Sequence, residues 1–355
     1  MRALLSVLVI SLLLPAAGCV RAGYYLQSVR GQLDLMSRRV DIEELLADPD
    51  TPAHLRSRLL SITEMRQFAS AELGLPDNPS YRSYADLERP YVVWNVFAAP
   101  EFAVEPQTWC FLFVGCISYR GYFSEQKAQE YAAGLAAQGM DVYVAGIAAY
   151  STLGRFADPV LNTMLAGDDL YLAGLIFHEL SHQQLYIKDA TTFNESFATM
   201  VEEEGVRRWL ARRDDEDAWL RWQRQERRAA QFTTLIVETR DRLAALYRSD
   251  LDSAHMRSAK AEIIAGMRAA HDRLRQQWGG YSGYERWFSG PLNNAQLSSV
   301  ATYQAQVPAF RALLSEADGD LRLFYQRARE IGELPREERD RRMSELAESL
   351  PGQAD

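Results

Sequence analysis

Asp169-Leu170-Tyr171-Leu172-Ala173-Gly174-Leu175-Ile176-Phe177-His178-Glu179-Leu180-Ser181-His182 joins an apolar run to two histidines four residues apart. Because a helical turn takes 3.6 residues, positions i and i+4 lie on one face. Two imidazoles so placed can converge on one zinc ion, and the intervening Glu179 can reach a water molecule beside it. Residues 169 to 177 are apolar almost all round, the pattern of a helix buried inside a domain. Asp168 or Asp169 is its expected N-cap. The expected roles are His178 and His182 as metal ligands and Glu179 as the catalytic general base.

Working outward, the next carboxylate in a helical pattern is Glu195, in Thr192-Phe193-Asn194-Glu195-Ser196-Phe197-Ala198. Thr191 or Thr192 is the expected cap of that helix. A catalytic zinc takes three protein ligands and keeps one position open, so Glu195 is the expected third ligand. The bland alternative is a first-turn Glu favoured by the helix dipole. Glu202 lies two turns further on the same face. It is expected either to orient a histidine or to bind substrate, the alternative being a solvated acidic run with Glu203 and Glu204. The chain has five histidines, and His54, His255 and His271 have no metal-ligand spacing.

Met1-Arg2 followed by apolar Ala3 to Leu14 reads as a secretory signal, too short to span a bilayer. Pro15-Ala16-Ala17-Gly18-Cys19 resembles the lipobox of bacterial lipoproteins, in which the signal is cut before the cysteine and the cysteine is acylated. Residues 1–18 are therefore the expected signal peptide and Cys19 the lipidation site, anchoring the chain to a membrane, the alternative being an ordinary cleaved signal peptide followed by a coincidental cysteine. With Val20 next, an outer-membrane lipoprotein facing the periplasm is the expected location. In an oxidising compartment the remaining pair, Cys110 and Cys116, is expected to close a small disulfide loop. The alternative is two buried thiols on one continuous strand. A net charge of −9 removes any electrostatic case for nucleic-acid binding.

Periodicity predicts helices over 24–47 and 52–74, the second with Thr51 as cap and Pro52 in its first position. Strands follow over 90–98, 110–119 and 141–150, with an Ala-rich helix from Ser124 to Met140 between the last two. Tyr143 to Leu153 is a candidate strand for pairing with extended substrate backbone, or an ordinary core strand. Beyond 205 the apolar positions keep helical spacing in a charged background. The expected division is a catalytic core over 19–205 and a helical subdomain over 206–355 bordering the cleft.

The order of strands, zinc helix and ligand helix resembles the common core of zinc metallopeptidases of the zincin type. A closer resemblance is to bacterial lipoproteins described as zinc aminopeptidases. It rests on Trp109-Cys110-Phe111, Gly115 to Phe123, Ala149-Tyr150-Ser151-Thr152-Leu153-Gly154, Asp158-Pro159-Val160-Leu161, Asn194 to Ala198, Leu292-Asn293-Asn294-Ala295 and Thr302-Tyr303, together with the histidine motif. It implies a helix-rich α+β fold with a zincin-like core and a helical C-terminal part. It also implies a zinc-dependent peptidase, with His178, His182 and Glu195 as ligands and Glu179 catalytic. The chain lacks the Gly-x-Met-Glu-Asn signature by which well-known exopeptidases hold a free amine, so exo and endo cleavage of a peptide substrate both stay open. Another zinc amide hydrolase of the cell envelope, or a scaffold with a vestigial site, are the remaining alternatives. An oxyanion donor is expected among Tyr303, Tyr284 and Tyr150, since a phenol can donate while neutral. Tyr150 is also a candidate substrate contact.

Overall fold

The structure is a computed structural model that describes residues 23–111, 115–213 and 215–349. The expected signal peptide and Cys19 lie outside the described residues. The fold is α+β and helix-rich, with three small sheets among the described residues.

The sheet that positions the site has β3 (Val93–Pro100) at its centre, with β6 (Arg120–Tyr122) and β7 (Met140–Ile147) antiparallel on either side. Side chains alternate across a strand, and β3 uses both faces. Trp94, Val96 and Ala98 pack with Ala128, Ala132 and Leu135 of α4 (Glu125–Ala136). Phe97 and Ala99 pack instead on Ala295 of α10 (Asn294–Gln304). The Ser124 hydroxyl caps α4 by accepting from the Lys127 N–H. Two asparagines tie α10 to this sheet. Asn293 donates to the Val142 carbonyl, and Asn294 donates to the carbonyls of Pro100 and Glu101.

The expected strand over 110–119 is instead a hairpin. Strands β4 (Trp109–Phe111) and β5 (Gly115–Ile117) pair antiparallel with Cys110 opposite Cys116, and the two cysteines are joined as a disulfide. The expected helix over 24–47 is also divided. Helix α1 covers 23–37, then β1 (Val40–Asp41) and α2 (Ile42–Ala47) follow. The break carries no Gly or Pro. It forms because Val40 and Asp41 pair with Tyr84 and Ser83 of β2 (Ser83–Ala85), while Arg38 bonds the Asp86 carbonyl and Glu88. Helix α3 (Ala53–Ala71) begins one residue later than expected, with Pro52 in the capping position.

The main core is built on α5 (Asp169–Gln184) and α6 (Thr191–Arg213), with α3 alongside. The chain beyond 205 does not pack as one unit. Helices α7 (Glu216–Tyr247) and α8 (Ser253–Gln277) share a separate small core with Phe288 and Leu297. Helices α11 (Val307–Glu316), α12 (Leu321–Gly332) and α13 (Arg336–Ser349) return to the main core beside Phe193 and Phe197. The division expected at 205 falls inside α6; α8 and the later part of α7 share the separate core, while Ala218, Trp219 and Trp222 at the start of α7 pack on the main one.

Candidate metal centre

Helix α5 opens where expected, with the Asp168 side chain accepting from the Tyr171 N–H at 2.9 Å. His178, Glu179 and His182 are all buried although three polar side chains on a buried helix are costly unless paired. The partner of the two histidines comes from α6, which starts at Thr191 itself rather than after a threonine cap. Glu195 Oε2 lies 3.5 Å from His178 Nε2 and 3.4 Å from His182 Nε2. The three residues form a buried group whose ligating atoms all lie within 4.8 Å of one another, and such a group can bind a metal ion.

Glu202 completes the arrangement from behind, its Oε2 3.0 Å from His178 Nδ1. Room for it is made by Gly174, four residues before His178. A Cβ there would stand 2.9 Å from Glu202 Oε1 and 3.1 Å from its Cγ. Asn194 holds the turn between the helices, accepting from the Ile187 N–H at 2.8 Å and donating to the Ile187 carbonyl at 2.7 Å. The same turn is tied to the disulfide hairpin, since the Cys116 N–H donates to Asp189 Oδ1.

Burial works against both charges of the His178–Glu195 pair, but each partner outweighs it. His182 and His178 bring the Glu195 carboxyl down to about 2. Glu195 and Glu202 carry the His178 imidazole well above its ordinary value. Glu179 goes the other way. Burial raises it, with Glu195 and Glu202 adding to the rise against the two histidines.

A cavity of about 310 Å³ opens on this group, lined by His178, Glu179, His182 and Glu195. Its walls include Val93 and Asn95 of β3, Phe111 and Ile117 of the hairpin, and Tyr24 of α1. Tyr303, near the end of α10, lines the cavity and stacks on His178 with ring centroids 6.1 Å apart. Tyr150 and Leu153 also line it, on a loop held by Asp158, whose carboxylate accepts from the Thr152 N–H and hydroxyl. Burial lifts the phenols of Tyr303 and Tyr150, with Glu195 and Asp158 respectively adding to it, so both stay protonated.

Two expectations change. Glu202 is not among the cavity-lining residues, so the substrate contact expected of it gives way to contact with His178. Tyr284 stacks on Phe232 at 4.3 Å in the small helical core, away from the cavity, and leaves the list of oxyanion donors. Sequence reasoning missed Tyr119 and Tyr186, which both line the cavity. Tyr119 falls between two three-residue strands, too short to show a period, and Tyr186 follows the end of α5.

Residues 23–343 match the model of a family described as "putative aminopeptidase", and the chain belongs to that family. No curated protein and no solved structure matches it.

Proposed function

We propose that this protein is a zinc-dependent peptidase of the zincin type that hydrolyses peptide bonds in the periplasm, an aminopeptidase as its family description suggests. One observation carries the reading. The general-base candidate Glu179 lines the same cavity as two imidazole nitrogens and a carboxylate oxygen that converge on one point. That donor set suits zinc, and the carboxylate oxygen stands 3.4 to 3.5 Å from the two imidazole nitrogens, about the separation of neighbouring donors around one tetrahedral ion. The membership in an aminopeptidase family supports peptide as substrate.

His178, His182 and Glu195 would hold the metal. Zinc, when bound, would polarise the scissile carbonyl and acidify a water molecule. Glu202, 3.0 Å from His178 Nδ1, would hold that nitrogen as the donor and so turn Nε2 toward a metal when one is bound. Glu179, whose burial raises its proton affinity, is suited to take the proton of the attacking water and pass it to the leaving amine. Tyr303 is the proposed oxyanion donor, because its buried phenol keeps its proton beside the histidines. Tyr150 is the proposed substrate contact.

Location is proposed from the sequence of the first nineteen residues, as an acylated outer-membrane lipoprotein facing the periplasm. The Cys110–Cys116 disulfide is consistent with that compartment. Among the described residues no helix is long and apolar enough to cross a membrane.

The test is zinc content together with cleavage of free-amine and N-blocked peptide libraries by wild type and Glu179→Gln. About one zinc per chain and cleavage lost in the variant is the expected result, and the library separates exo from endo. Failure to bind zinc after reconstitution would sink the proposal.

A further inference from the structure

Helix α1 is amphipathic with its apolar side facing out. Its inner face is fixed by Tyr24, Gln27, Gly31 and Leu35, spaced at three to four residues. Tyr24 lies under the Arg120 guanidinium at 4.1 Å. Gln27 is buried and accepts from the Phe123 N–H, and Gly31 sits where any Cβ would strike the Phe123 ring. Leu35 enters the main core. On the outer face Tyr25, Leu26, Val29 and Leu33 are 38, 51, 55 and 63 % exposed. A surface helix ordinarily turns polar side chains to water. Here three successive turns present aliphatic and aromatic groups, with Arg30 exposed among them.

We infer that this outer face of α1 lies on a lipid bilayer, in the plane of its interface. The inference rests on the lipid anchor proposed above. Cys19 precedes Gly23 by four residues, so an extended connection spans at most about 14 Å and keeps the start of α1 beside the acyl chains. A helix with an apolar face, an arginine able to reach the headgroups and a tyrosine near its end has the composition of an interfacial segment. Acyl chains plus such a face form two membrane contacts on one short stretch of chain. Because Tyr24, Tyr25 and Ser28 of the same helix line the candidate cavity, its mouth would open next to the lipid surface.

The full chain, carrying Val29→Cys and labelled there with a thiol-reactive NBD dye, is reconstituted into vesicles of phosphatidylethanolamine and phosphatidylglycerol. Cys110 and Cys116 are bonded to each other and Cys19 would be acylated, so the dye marks position 29 alone. The expected result is a blue-shifted, several-fold brighter emission that lipids with doxyl-labelled acyl chains quench. Adding Leu26→Asn and Leu33→Asn should reduce that quenching while the chain still sediments with the vesicles. The mass of the mature chain is read first. Acyl mass on Cys19 with an unquenched dye overturns the inference and leaves the anchor standing. An unmodified, non-sedimenting chain overturns the anchor and the inference with it. A dye that brightens without lipid and resists doxyl quenching assigns the face to a second copy and also overturns the inference.

Discussion

Ten of the sixteen residues of α5 are buried, whereas α7, twice as long, buries five of thirty-two. Both are regular helices with a capping aspartate, Asp168 and Asp215, so local propensity does not separate them. The difference lies in what surrounds each. Beyond its first turns, which touch the main core through Ala218, helix α7 uses one apolar stripe, Phe232, Ile236 and Leu243, to pack with Met267 of α8. Helix α5 is buried over most of its length, although Tyr171 in its first turn is exposed, so polar groups on it call for partners inside the protein. His178 finds Glu195 and Glu202, and Ser181 donates to the His178 carbonyl. A buried helix that carries charge is where chemistry is to be sought, and a striped helix is where a scaffold is.

The comparison breaks most sharply at the site itself. His182→Ala should abolish metal binding measured by calorimetry, and with it peptidase activity. Glu179→Gln should keep the metal and lose about 10²- to 10⁴-fold in kcat, the usual contribution of a positioned general base. Retained activity in Glu179→Gln would remove α5 from the chemistry and leave it a structural helix like α7.

Next in size are the cores. Phe177→Ala on α5 removes a fully buried ring packed against Phe68 and the Gly205 backbone, and should cost about 3–5 kcal/mol. Ile236→Ala on α7 should cost about 2–5 kcal/mol by the same mechanism. Urea unfolding followed by metal binding separates them. The α5 variant should lose metal affinity along with stability, and the α7 variant should keep its affinity at urea concentrations below its transition. Equal loss of affinity in both would mean that the two helices form one cooperative unit.

What could be read in advance follows the same division. Helices with a strong period and a side-chain cap, α4 and α5 above all, were legible because their signals lie within one turn. The histidine pair was legible for the same reason, since helix geometry converts a spacing of four into a shared face, whereas Glu195, on the next helix, was legible only through the three-ligand requirement of a catalytic zinc. The break after residue 37 was not, because it is imposed by pairing with a strand forty residues away. Nor was the return of α11–α13 to the main core, as a stripe of apolar residues does not name the surface it will cover. Gly174 illustrates the limit well. In sequence it is one small residue in an apolar run, and only the facing helix shows that it is the space Glu202 occupies.

That contact gives the third test. Glu202→Gln keeps the shape of the side chain and removes the charge that sets the His178 tautomer. Metal affinity should fall about 10- to 100-fold, the usual effect of a group that orients a ligating histidine. Unchanged affinity would return Glu202 to the solvated acidic run with its neighbours.

The smallest effect concerns Asp158, the buried acid outside the metal group, which holds the cavity-lining loop through Thr152. Burial lifts its carboxyl from an ordinary 3.8 to about 6, even though the Thr152 bonds pull the other way. The folded protein therefore keeps a proton that the unfolded chain releases. Stability from this group is fully present below pH ~4 and is lost as pH rises through about 6. Asp158→Asn presents a carbonyl to the same two donors and does not titrate. The stability difference between wild type and variant should shift toward the variant by about 3 kcal/mol across that window and be flat above it. Because Glu179 adds to the rise at Asp158, the comparison is made in a Glu179→Gln background, which removes that coupling from the difference. Parallel urea midpoints for the two proteins from pH 4 to 7 would show that water reaches Asp158, and that the loop beside the site is open rather than closed on a buried acid.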